Sequence, residues 1–460
     1  MNDCANLGGG VVYAQESTSI NITHNQFINN SALGLTNGTY YAYSGDGGGS
    51  GGVVMAHSVD HVTIAHNQFI NNTARLDGGV MWLQDNTVAL TITGSNFTDN
   101  RASNGGTMYI EDARTTINDC RFNYNKAEHD GGIMASQKGS ITVYGCNFDG
   151  NSAGHDGGIM ASQEGSITVY EGNFSGNFAG HDGGVIKSQQ GSINLHGSIF
   201  DSNSAGHDGG VMTLQQKSIN FFGSNFNGNS AGHDGGVMTL QEGTITVHGG
   251  SFNSNSAGHD GGVVVAQQGS ITVHGGSFDS NLAGHDGGVF WIYQDTMYIS
   301  NNVYINNTAM NDGGVMHTYQ GTTSISECYV SINSAMNDGG AINAYQGSLS
   351  ISKDTSFSYN TAYNDGGVIH GYELDVTAIG NSYSYNMAWN RGGVWFVYHL
   401  NLTIIQSILS HSKAADGGVM YADQGNITLD NTSCVGNKAC LLYTSPSPRD
   451  ATLSRMPSSA

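Results

Sequence analysis

Residues 209–234 read GGVMTLQQKSINFFGSNFNGNSAGHD, and Gly235-Gly236 starts the pattern again. The Gly-Gly pair opens at 9, 51, 78, 105, 131, 157, 183, 209, 235, 261, 287, 313, 339, 366, 392 and 417, and from 105 to 339 every step is 26 residues. A fixed period over sixteen copies is the mark of a solenoid. Within the unit, Val211 to Gln215, Ser218 to Phe222 and Phe226 to Asn229 are short runs bounded by Gly or Asn. Runs of about five residues are too short for helices. Ile-Thr-Val is β-branched and suits a strand. In Ser140 to Tyr144 the period is two: Ile141 and Val143 face one way, Ser140, Thr142 and Tyr144 the other. Three in-register sides per coil predict an all-β chain. Its architecture is a right-handed parallel β-helix of about sixteen coils of about 26 residues. At roughly 4.8 Å per coil the rod is on the order of 75 Å long.

Equivalent residues then stack. Val211, Val237 and Val263 make one apolar ladder, and Ile219, Ile245 and Ile271 a second. Phe148, Phe174, Phe200, Phe226, Phe252 and Phe278 make a third, continued toward the C-terminus by Val303, Val330, Tyr383, Leu409 and Cys434. One coil cannot offset the entropy of ordering its own residues, so stability comes from neighbour contacts. The Asn of Phe-x-x-Asn (Asn125, Asn151, Asn177, Asn203, Asn229, Asn255, Asn281) reads as a structural ladder. It combines a turn residue able to adopt φ > 0 with amides that bond coil to coil.

The repeat spans 1–439, with residues 33–50 as a loop insertion at one corner. Residues 440–460 hold all three prolines and break the pattern. They read as a disordered or non-native tail resembling translated sequencing adapter. Met1 to Leu7 has neither a basic nor an apolar leader region, so signal and anchor are expected to be missing from this fragment. The net charge of −22 argues against nucleic acid and anionic membrane as partners. No apolar run approaches the roughly 20 residues of a membrane helix.

Gly-Gly-aliphatic alternating with Phe-x-x-Asn resembles the chlamydial polymorphic outer-membrane protein repeat family. Gly339-Gly340-Ala341-Ile342 matches that family's first motif verbatim, and Phe-x-x-Asn is met in eleven copies. The resemblance covers about 1–437. It implies a right-handed β-helix passenger displayed at the cell surface, and for several members an adhesive role.

Three rows carry candidate chemistry. The first is His-Asp before Gly-Gly: His129-Asp130, His155-Asp156, His181-Asp182, His207-Asp208, His233-Asp234, His259-Asp260 and His285-Asp286. Later copies keep Asp but carry Asn311, Asn337 and Asn364 in place of His. Carboxylates about 4.8 Å apart repel by roughly 0.9 kcal/mol per neighbour even in bulk water, so something offsets that. Hydrogen bonds from the backbone N–H groups of the glycine turn would do so. A linear cation site is the functional alternative, because imidazole and carboxylate suit Zn²⁺. The second row is the outward Ser/Thr-x-Thr of the middle strand (Ser140/Thr142, Ser166/Thr168, Thr244/Thr246, Ser270/Thr272). It raises ice binding as a possibility, but Asn194, Asn220 and outward Tyr144, Tyr170, His248 and His274 roughen it. The third is Cys120 and Cys146, one step apart, which predicts an inter-coil disulfide in an oxidising compartment.

Many right-handed β-helices act on polysaccharides, which makes a lyase or hydrolase the rival reading. Such catalysis needs a unique set of acids and bases in one groove. The middle coils are near-copies, the long loop offers one acid, Asp46, and Arg75, Arg101, Arg114, Arg121 and Arg391 are scattered. The expectation is a non-enzymatic, cofactor-free, cell-surface or extracellular rod. It would bind a host or neighbouring-cell glycan or protein by multivalent display.

Overall fold

The computed structural model describes residues 10–33, 49–84, 89–399 and 401–439. Most of the 33–50 loop, including Asp46, and all of the 440–460 tail lie outside the described residues. Every pairing between named strands is parallel, and each pairs with its counterpart one coil away, as in Phe226↔Phe252 and Ile219↔Ile245. Two sheets of sixteen strands run the length of the rod. One is built from three-residue strands such as Asn225–Asn227 and the other from two-residue strands such as Ser230–Ala231. A 26-stranded sheet forms the remaining face.

Four details differ from the sequence reading. The Gly-Gly run and the Ile run belong to one sheet, not two sides. In coils such as Met212–Phe222, Met238–His248 and Ile342–Ser352 they fuse into single eleven-residue strands. The true third side is the Ser-Ala pair, whose Ala (Ala205, Ala231, Ala257) is buried. The Phe ladder passes through Tyr304, not Val303, because Phe278 pairs with Tyr304. The left-handed residue of the Phe-x-x-Asn turn is the one before Asn, for example Ser202 (φ 56) and Gly228 (φ 62), and not Asn itself.

The core is otherwise as the periodicity requires. Val211, Met212, Ile219, Phe221 and Phe226 are all fully buried. Successive Phe rings stack from Phe27 through Phe278 at 4.6–5.1 Å. Each ring contributes on the order of 1.5–3 kcal/mol of burial. The Gly-Gly pair is demanded twice. Gly209 sits at φ 65, and a Cβ on Gly210 would lie 2.2 Å from the carbonyl oxygen of Gly236 in the next coil.

The Asn ladder is complete from Asn72 to Asn386, and each member is at most 1% exposed. Asn229 shows the pattern. Its Oδ1 accepts the Asn203 N–H and Asn203 Nδ2, both at 3.0 Å. Its Nδ2 donates to Phe200 O and to Asn255 Oδ1, both at 3.0 Å. Each amide therefore bonds to the coil on either side and leaves no donor unpaired.

Candidate functional site

The His-Asp turn follows the Ser-Ala strand and precedes Gly-Gly, so chain order alone stacks its residues. The stack is a carboxylate ladder. Asp208 Oδ1 accepts the N–H of Asp234 at 3.1 Å, and Asp234 Oδ1 that of Asp260 at 3.0 Å. The same bond runs from Asp130 to Asp365, which accepts the Arg391 N–H. The donor is thus the next aspartate's own N–H. The glycine N–H expected in that role bonds the aspartate main-chain carbonyl instead, as Gly209 does to Asp234 O. Charge-assisted bonds of this kind offset the repulsion between stacked carboxylates.

The histidines stack as well. From His155 to His285 successive rings lie 4.7–5.0 Å apart and within 6° of parallel. Each Nδ1 sits between two carboxylates. It is 3.1–3.3 Å from the aspartate of its own coil and 3.3–3.6 Å from that of the coil before. The predicted candidates His155, Asp156, His181, Asp182, His207, Asp208, His233, Asp234, His259, Asp260 and His285 are therefore brought together. Their ligand atoms fall within 4.8 Å in groups such as His207, Asp208 and His233. Asp286 closes the same row.

Where His gives way to Asn, the amide stands beside the same carboxylate row. Asn311, Asn337 and Asn364 donate Nδ2 to Asp286, Asp312 and Asp338 at 2.8–2.9 Å. At the boundary His285 Nδ1 meets Asp260 Oδ1 at 3.3 Å, so asparagine Nδ2–H takes a place beside the previous carboxylate that an imidazole nitrogen occupies one coil earlier.

A second column, outward on the first strand, borders the aspartates and was not singled out from sequence. It reads Ala161, Lys187, Thr213, Thr239, Val265, Trp291, His317, Asn343, His370, Phe396. Lys187 pairs with Asp182. Burial works to raise that carboxyl, but the ammonium outweighs it and the net shift is down. Arg391 pairs with Asp365 through Nε and Nη2, and its guanidinium lies over Phe396 and Tyr421 at 4.6 and 5.0 Å. Between these cations, burial raises the Asp312 and Asp338 carboxyls. Burial also drives His370 down to about 4 against the pull of Asp312 and Asp365. Two residues further on, Tyr293, Tyr319, Tyr345, Tyr372 and Tyr398 form an aligned row. Burial pushes Tyr345 up to about 12. A tyrosine recurring at one phase of the repeat was the available signal.

Cys120 and Cys146 stack as predicted but are free thiols. Both side chains point the same way, and Cys146 Sγ accepts the N–H of Cys120 at 3.2 Å. They occupy a polar ladder in which Ser198 and Ser224 accept the same N–H. Parallel Cβ vectors one strand spacing apart do not converge as a disulfide requires. The third buried thiol in this phase, Cys328, is held up at about 11 by burial. The Thr row is real in register (Thr142, Thr168, Asn194, Asn220, Thr246, Thr272) and continues into exposed Tyr298.

Among the described residues, no helix is long and apolar enough to cross a membrane. The family model for a right-handed β-helix region matches residues 51–230, and that for the chlamydial polymorphic membrane protein repeat matches residues 354–372. The chain is a right-handed β-helix protein whose repeats are like those of the chlamydial polymorphic membrane proteins. Comparison with curated proteins and with solved structures finds no match.

Proposed function

We propose that this chain is a surface-displayed, non-enzymatic rod that adheres to glycan or protein on a host or neighbouring cell. The similarity to the polymorphic membrane protein repeat supports surface display. The observation that carries the adhesive reading is the set of outward aromatic ladders. Tyr144, Tyr170, His196, Phe222 and His248 stack at 4.7–5.5 Å along one edge. Tyr359, Tyr385 and His411 do so on another. Ring faces cover one another within a ladder, so what is offered outward is a line of edges, hydroxyls and imidazole nitrogens. Single contacts of that kind are weak, and repetition at coil spacing turns them into avidity. An array of glycans and cell surfaces probed with residues 1–439 tests it. Binding should fall at least tenfold when Tyr170, Phe222 and His248 are replaced together by Ser, and an array that gives no binding sinks the reading.

Among the described residues, the polysaccharide-enzyme alternative has a place to stand. A shallow depression lined by Glu373, Asp375, His399 and Asn401 gathers two acids and an imidazole. Hydrolysis or elimination on a pectin and glycan panel, abolished by Glu373→Gln or Asp375→Asn, would favour it over adhesion.

A further inference from the structure

Asp286 is where the two columns of imidazoles meet. His285, last of the stacked turn histidines, brings Nδ1 to 3.2 Å from Asp286 Oδ2. His317, on the strand of the following coil, brings its own Nδ1 to 3.6 Å from the same oxygen. The other oxygen is already committed: Oδ1 accepts the Asp312 N–H at 3.0 Å and Asn311 Nδ2 at 2.8 Å. His317 is only 9% exposed, and its Nδ1 has no hydrogen-bond partner. A buried, unpaired imidazole nitrogen aimed at a carboxylate costs stability unless something fills the gap. The Tyr345 ring, 5.7 Å from His317, closes one side.

We propose that His285 Nδ1, Asp286 Oδ2 and His317 Nδ1 bind one divalent transition-metal ion of the zinc class. The donor set is two imidazoles and a carboxylate, the chemistry such ions select over magnesium or calcium. A tetrahedral ion with bonds of about 2.0–2.1 Å sets its ligand atoms about 3.3 Å apart. The two distances at Asp286 bracket that value. The fourth position opens past half-exposed His285 to solvent. His285 Nδ1 also lies 3.3 Å from Asp260 Oδ1, a contact that coordination replaces; both imidazoles coordinate in the neutral form with the proton on Nε2, so acid opposes binding.

The turn row holds other groups of two imidazoles and a carboxylate, such as His207, Asp208 and His233, but among the described residues the pairing of a turn histidine with a strand histidine occurs once. In earlier coils the strand column offers Lys187, Thr213, Thr239 or Val265, none of them an imidazole. In later coils the turn offers Asn311 or Asn337 in place of histidine. Among the described residues, only the coil boundary at Asp286 combines a turn histidine with a strand histidine.

The repeat supplies its own control substitutions. His285→Asn reproduces Asn311, and His317→Asn reproduces Asn343, so both variants keep the apo melting temperature. Chelator-treated full chain is titrated with Zn²⁺ by equilibrium dialysis and with Co²⁺ by visible absorption. One equivalent is expected to bind with a tetrahedral Co²⁺ band, to raise the melting temperature, and to lose at least tenfold in affinity in each variant. Three results would overturn the site: no binding at micromolar metal, affinity unchanged in His317→Asn, or several equivalents bound in proportion to the stacked histidines.

Discussion

The coils from Asp130 to Asp286 and those from Asp286 to Asp365 share one carboxylate ladder and differ in what surrounds it. In the first stretch stacked imidazoles flank the acids and the neighbouring strand column is Ala161, Lys187, Thr213, Thr239 and Val265. In the second, amides replace the imidazoles, and His317, Asn343, His370 and the Tyr293–Tyr398 row cover the acids. The backbone bond from each Asp to the next is unchanged across the boundary, at 3.0–3.2 Å. The ladder is therefore a property of the coil, while chemistry is added by the side chains beside it. Function is more reasonably sought where those neighbours stop being copies of one another.

What the two stretches share can be broken first, and with the largest effect. Asn229→Ala removes an acceptor used by two Asn203 donors and donors used by Phe200 and Asn255. Leaving several buried groups unpaired costs roughly 3–5 kcal/mol. Urea unfolding should show it, with the same loss for Asn333→Ala in the later stretch. Unequal losses would mean the Asn ladder is not the common frame.

A pH titration separates the stretches. His370 belongs only to the second, facing Asp312, Asp338, Asp365, His317 and Arg391. Its folded value of about 4 lies below the ordinary 6.5, so the unfolded chain takes up the proton first. The contribution is intact above pH 6.5 and is lost as pH falls toward 4, by up to about 3 kcal/mol at 1.36 kcal/mol per unit. Asp295, raised to about 6 by burial, works in the opposite sense, gaining stability as pH falls through 6. The check is a difference: wild type minus His370→Asn should decline between pH 6.5 and 4. A flat difference would show that His370 is hydrated in solution.

A smaller effect tests a departure within the Phe ladder. Tyr304 fills a phenylalanine position with its hydroxyl buried and unpaired. Burial holds that phenol well above its usual range. Tyr304→Phe should raise stability by about 1 kcal/mol, read as a higher urea midpoint at constant slope. A loss would point to a bound water or partner for the hydroxyl.

How far the sequence was readable follows from the same contrast. Period and residue type fixed the coil, the apolar ladders, the Asn ladder and the stacking of His-Asp, because in-register stacking turns sequence phase directly into contact. Which runs share a sheet was not legible, since Gly191, Gly243 and Gly347 look like turn residues yet lie inside extended strands. There they are required because a Cβ would lie 1.8–2.0 Å from the carbonyl oxygen one coil back. The thiols were misread for a related reason: spacing gave their distance but not that both Cβ vectors run parallel. His317 and His370 were invisible because they are single departures from a column, while pattern reading rewards what recurs.

The smallest expected change bears on the central claim about the His row. If histidine serves the middle coils as a donor to the preceding carboxylate, then asparagine, which does that work at 311, 337 and 364, should replace it at little cost. His233→Asn keeps a donor within reach of Asp208 and gives up only the ring contacts with His207 and His259. Its stability should change by less than about 0.5 kcal/mol, the range of a surface substitution. His233→Leu keeps the bulk and removes the donor, and should cost about 1 kcal/mol, the worth of one hydrogen bond to a partly buried acceptor. If the two variants fall by the same amount, ring stacking holds the row together. The change to asparagine after His285 would then be a loss of order rather than an equivalent bond.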